Sequence, residues 1–225
     1  MTTPRSSALA ALALLVPVPT IGVLAAMWVF PGIVGQAVYA LSKAWIILLP
    51  AVWFLKVDRG RPGWVAPDAS LVRAGLWIGL AISVAIGGAW WLWGSWIDAD
   101  RLRATAQRVG IGTPARYAGL AVYLCTVNAL AEEYVWRWFV YGKCRALVSG
   151  PAAVWLSALL FTVHHVFALA AQMPWSVVLL GSLGVFAGGA VWSWCYGRYG
   201  SIWPGYVSHV VADVTIFWIG WTVLF

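Results

Sequence analysis

Charge is what this chain has least of. Only 9% of its 225 residues are Asp, Glu, Lys or Arg, against about 25% in an ordinary soluble domain. Acidic residues are scarcer still, 7 against 14 basic ones. So little charge excludes a soluble globular protein. Cys125, Cys144 and Cys195 show no paired spacing and no CxxC, so they read as small apolar fillers with nothing to say about redox compartment. Neither an internal repeat nor a low-complexity tract is present. What fills the space is apolar: 63% of the residues are hydrophobic and 18 are tryptophan. This is the composition of a polytopic membrane protein. Many tryptophans fall near the ends of apolar runs (Trp28, Trp64, Trp96, Trp175, Trp203), as interfacial anchors do.

Seven runs are expected to cross the bilayer as helices, in an all-α transmembrane bundle of six to eight spans: Ala8–Phe30, Ile33–Leu55, Ala74–Trp96, Tyr117–Tyr141, Ala152–Ala171, Trp175–Trp194 and Ile202–Leu224. The first run follows Arg5 like a signal peptide. It is long enough to span, and reads as an uncleaved helix bent by Pro17 and Pro19. The broadest connections, Lys56–Arg73 and Asp98–Arg116, are polar and too short to fold alone. Residues 1–225 are therefore expected to form one integral membrane domain, with its motif-bearing core at 115–225.

The net charge of +7 does not indicate nucleic acid, because most basic residues lie in short loops, where they act as orientation signals. With the N-terminus inside, the inner side collects Arg5, Lys56, Arg59, Arg61, Arg73, Lys143, Arg145 and Arg198. The outer side collects Arg101, Arg103, Arg108 and Arg116. The bias predicts a cytosolic N-terminus in a bacterial-type plasma membrane.

Against this background three motifs stand out: Glu132-Glu133-x-x-x-Arg137, Phe161-x-x-x-His165 and His209-x-x-x-Asp213. A charged side chain costs roughly 2.5–3.5 kcal/mol at the centre of a membrane helix, so such residues there mark function. At 1.5 Å per residue from the shared inner face, Glu132 lies about 16 Å deep, His165 about 21 Å and His209 about 12 Å. One membrane layer can therefore hold all three motifs.

Residues four apart share a helix face. Asn128 then stacks beneath Glu132, and Glu133 beneath Arg137, whose pairing neutralises two charges. Glu132 keeps no helix-mate of opposite sign, which suits a general base. Phe161 and His165 share a face. His164 and His165 point about 100° apart and are not expected to serve one site equally. His209 and Asp213 again share a face: Asp213 can orient the ring of His209, or the two can bind a metal together.

At these residues the chain resembles the CPBP family (CaaX proteases and bacteriocin-processing proteins, also called Abi), whose pattern is EExxxR, FxxxH and HxxxN or HxxxD on separate membrane helices. The resemblance runs from Asn128 to Asp213. It implies an intramembrane endopeptidase, similar to the Ras-converting CaaX endopeptidase, with a polar cavity opening toward the cytosol. By analogy, Glu132 and His165 activate a water, Glu133 and Arg137 hold the site in shape, and His209 with Asp213 stabilises the oxyanion. Where the best known relatives have Asn, this chain has Asp213. An ionised Asp cannot donate a hydrogen bond, so Asp213 must be protonated, must orient His209, or must ligate a metal.

Glu132, His165, His209 and Asp213 form a plausible zinc set. The metal-free, glutamic mechanism is the expected one, with zinc the alternative. The expected substrate is a membrane-anchored or C-terminally tagged protein or peptide, with the bilayer as partner. The competing reading is non-catalytic: an immunity protein, a scaffold or a proton-linked transporter. The paired broken helices that transporters often carry are missing. A membrane hydrolase acting on a lipid ester is a third option.

Overall fold

In a bilayer core the backbone must satisfy its own hydrogen bonds, so apolar runs of this length fold as helices. The computed structural model describes residues 4–30, 32–61, 63 and 65–225. The anchoring role expected of Trp64 lies outside the described residues. Among those described, eight helices account for the fold and no strand occurs. They are α1 (Arg5–Val29), α2 (Ile33–Val57), α3 (Ala69–Trp96), α4 (Ala99–Arg108), α5 (114–147), α6 (Pro151–Ala170), α7 (Trp175–Tyr199) and α8 (Trp203–Leu224). Six of them, all but α4 and α5, are long and apolar enough to cross a membrane. The seventh expected span is α5, whose apolarity is diluted by the polar motif it carries.

Local chemistry sets the ends. Proline stands in the first turn of α5, α6 and α8, where its missing N–H leaves no bond unmade. Asp68 caps α3, its Oδ1 accepting from Ser70 N (2.7 Å) and Leu71 N (2.9 Å). The Ser70 hydroxyl, and then the Leu71 N–H, hold the Asp68 carboxyl below the usual carboxylate range. The regular path of α1 is interrupted at Val16, just before Pro17. The connection 98–116, expected to be too short to fold alone, contains α4, which packs on the bundle. Asp98 caps that helix by accepting from Arg101 N at 3.0 Å. Thr105 and Ala106 are buried, while its charged residues stay on the solvent side. A short amphipathic helix that packs on a bundle needs no core of its own.

The two ends of the bundle are marked by tethers. At one end Arg5 donates to Leu147 O (3.2 Å), Lys143 pairs with Asp58, and Trp203 Nε1 donates to Val65 O (2.7 Å). At the other, Trp28 Nε1 donates to Phe167 O (3.3 Å). These tethers match the alternation of seven spans.

The antiparallel pairs α1–α2 and α6–α7 and the parallel pair α3–α8 surround α5. From Glu132 to Tyr141 only Tyr134 and Trp138 of α5 escape full burial. Between Glu133 and Tyr141 its backbone bonds run i→i+5, a π-helical stretch of the kind that recurs at functional sites. Helix α8 seats closely on α3 because Gly75 and Gly79 lack side chains. A Cβ there would fall 2.7 Å from Val207 Cβ and 2.7 Å from Val211 Cβ respectively. Small residues at such spacing are how membrane helices approach each other, and here they fix the height of His209.

Candidate active site

Helix α5 delivers the acids. Asn128 Nδ2 donates to Glu132 Oε1 at 2.8 Å, and Arg137 Nε lies 3.4 Å from Glu133 Oε1. Both expected four-residue pairs are therefore in contact. Glu133 and Arg137 are fully buried. The guanidinium of Arg137 is centred 4.3 Å from the ring of Phe161 and 5.0 Å from that of Trp192. This gives Phe161 a physical role: its ring covers the buried cation, and its carbonyl oxygen contacts His165 Nδ1 at 3.0 Å. A carbonyl only accepts, so Nδ1 carries the proton, and in the neutral ring Nε2 is left as an acceptor.

Helix α8 brings His209 to the same acids. Its Nδ1 donates to Glu133 Oε1 at 3.1 Å, and Trp192 stacks on its ring at 3.9 Å. Its Nε2 faces Glu132 Oε2 at 3.8 Å and Asp213 Oδ2 at 3.7 Å. Of the roles left open for Asp213, a direct hydrogen bond that orients His209 is not formed. The separation is beyond hydrogen-bond reach, and Glu133, from another helix, makes the orienting bond instead. Sequence spacing exposes partners within one helix and hides those across helices.

His164 is also nearer than expected. Its ring centroid lies 4.1 Å from that of His165, and Glu132, His164 and His165 each offer a ligand atom within 4.8 Å of the others. Adjacent histidines diverge at the backbone, but the length of the side chain lets both rings lean toward one acid.

Three helices thus bring three carboxylates, three imidazoles and an arginine together inside the membrane. Residues 114–215 match the family model described as type II CAAX prenyl endopeptidase Rce1-like. Through this segment, somewhat under half of the chain, it is similar to that protease family. No curated protein and no solved structure matches the chain. The Rce1-like segment carries the EExxxR, FxxxH and HxxxD residues on α5, α6 and α8. The apolar helices make this an integral membrane protein, and the segment that carries the motifs is similar to a CAAX-type endopeptidase family.

One polar residue near the site comes from outside the Rce1-like segment. Lys43 of α2 donates from Nζ to Asn128 Oδ1 at 2.7 Å. The first three spans looked motif-free by sequence, and a lysine in mid-span was the signal passed over. Lys43, Ser42, Tyr39, Glu132, Trp136 and His164 line a cavity of about 30 Å³, room for one or two waters. The expected polar cavity at the inner end takes another form. A cavity of about 390 Å³ lies there, walled by Phe54, Tyr134, Trp138, Tyr196 and Trp203, and no motif side chain reaches it.

A metal can be tested against these donors. Glu132, His164 and His165 match zinc by ligand type, whereas His209 and Asp213 of the expected set fall outside that cluster. Two features oppose a dication. The ammonium of Lys43 lines the same cavity as Glu132 and His164, and Glu132 Oε1 is already engaged by Asn128.

Gly205, in the first turn of α8, makes room for Glu133. A Cβ at this position would lie 2.3 Å from Glu133 Oε2. Gly205→Ala therefore displaces the carboxylate that holds His209. Displacements of about 1 Å cost on the order of 100-fold in rate, and that loss in kcat, at unchanged yield of folded protein, is the expected result.

Proposed function

We propose that the chain is an intramembrane endopeptidase of glutamic type, cleaving a membrane-associated or C-terminally tagged peptide. The observation that carries this reading is the approach of Glu132 and His165 to within 4.8 Å. One water can span that gap, with hydrogen bonds of about 2.8 Å to each. The water donates to Glu132 and to His165 Nε2. Glu132 takes one proton, and the hydroxyl attacks the scissile carbonyl carbon. The resulting oxyanion lies against the Nε2–H of a His209 that is protonated on both nitrogens, its Nδ1–H held from behind by Glu133, with Asp213 as a nearby countercharge. The C–N bond then breaks as Glu132 returns its proton to the leaving amine, which restores the carboxylate. No step runs through a metal. The end bearing Arg5, Lys56, Lys143 and Arg198 faces the cytosol of a bacterial-type plasma membrane, by loop charge.

The test is purified protein in proteoliposomes, offered a farnesylated peptide ending in C-a-a-X, the same peptide without its prenyl group, and a single-span peptide. Cleavage of any one at an internal peptide bond, undiminished by 1,10-phenanthroline, is expected. Failure to cut all three removes the protease reading. Loss with chelator and recovery with zinc removes the glutamic one. Asp213→Asn supplies a second check. Asp213 makes no hydrogen bond to His209, so this variant should keep kcat within about tenfold of wild type. Near-complete loss would point to a ligand instead.

A further inference from the structure

Lys43 stands in the middle of α2, among Pro19, Val23 and Ile46, with the Tyr39 ring centred 5.6 Å from Nζ. A charge in such surroundings is retained for what it contacts. Its contact is the oxygen of Asn128, at 2.7 Å, and the nitrogen of the same amide reaches Glu132 Oε1 at 2.8 Å. The direction of this chain follows from chemistry alone. An ammonium has three donors and no acceptor, so it must meet Oδ1. An ionised carboxylate only accepts, so it must meet Nδ2. Lys43 and Glu132 thus clamp one amide from both sides, and the amide has a single orientation.

The consequence falls on Glu132. Its Oε1 is occupied by Asn128, while Oε2 faces His209 Nε2 at 3.8 Å. Only Oε2 is turned toward the reacting side. The buried charges point the same way. Glu132, Glu133 and Asp213 are three acids, and Arg137 is spent on Glu133. Lys43 is then the second fixed cation, and its field reaches Glu132 through Asn128. The cavity behind Glu132 completes the arrangement: its one or two waters can meet the remaining donors of Lys43 and His164 Nδ1, which is buried without a hydrogen-bond partner.

We propose that Lys43 is a positioning residue for peptide hydrolysis, acting through Asn128 to hold Glu132 with Oε1 engaged and Oε2 free for the attacking water. This rests on the reading of Glu132 as the base. On the farnesylated C-a-a-X peptide, Lys43→Met and Asn128→Leu should each lower kcat about 10- to 100-fold with KM unchanged. The double variant should fall no further, because both changes break one chain. Lys43→Arg, which keeps charge and donors, should recover most of the rate. Wild-type kcat in either single variant, or losses that multiply in the double variant, overturns the proposal.

A second measurement does not depend on activity. Asn128 is the sole asparagine of the chain, so asparagine labelled with ¹⁵N in its side chain gives one amide signal pair. In wild type and Lys43→Arg this pair should be slow to exchange with water. In Lys43→Met it should move and exchange rapidly. An unmoved pair sinks the Lys43 proposal. A moved pair in a protein that cuts no peptide sinks the protease reading instead.

Discussion

Glu132→Gln should abolish peptide hydrolysis while leaving the fold intact. Gln keeps the length and volume of Glu, and its oxygen can still accept from Asn128 Nδ2, which sits at 2.8 Å in the native protein. What disappears is the ability to take a proton from water. A positioned general base contributes about 10²–10⁴ in rate, so kcat should drop by about 10³ with thermal unfolding unchanged. The check pairs cleavage kinetics in proteoliposomes with unfolding in detergent. Wild-type turnover by the variant would remove Glu132 from the mechanism. Equal loss of folded protein would show instead that the carboxylate serves the bundle. Comparing membrane-fraction peptides from cells with either form then identifies the substrate as a mass that changes.

Much of this site was legible before any coordinates. The acids, the histidines and the arginine declare themselves because ionisable groups at membrane depth are costly. Pairs within one helix, Asn128 with Glu132 and Glu133 with Arg137, follow from helix periodicity. Partners on different helices do not. That Glu133 rather than Asp213 orients His209 depends on the seating of α8 against α5. That seating depends on Gly75, Gly79 and Gly205, whose contribution is an absence of side chain. His164 escaped because backbone angles were weighed without the reach of the side chain. Lys43 escaped because a motif search looks for patterns, and a lone lysine makes none. The helix α4 escaped because its buried face holds only Thr105 and Ala106, too little apolar signal to read from sequence.

The second large effect concerns the pair that sequence read as scaffolding. Glu133 Oε1 serves two partners, Arg137 Nε at 3.4 Å and His209 Nδ1 at 3.1 Å. Glu133→Leu removes both contacts and strands the guanidinium of Arg137 between Phe161 and Trp192. Breaking a buried pair from one side costs about 3–5 kcal/mol, so this variant should unfold at much lower temperature and show no activity. Adding Arg137→Met removes the stranded charge. Apolar replacement of a whole buried ion pair is often neutral or stabilising, so the double variant should regain most of its thermal stability. It should not regain catalysis. His209 Nδ1 then has no acceptor, and loss of such an orienting partner costs about 10- to 100-fold. The two properties separate only if Glu133 has two functions, one toward Arg137 and one toward His209. A double variant that is both stable and fully active would show that His209 is held by other means. A double variant that stays unstable would show that the carboxylate is required by something besides the arginine.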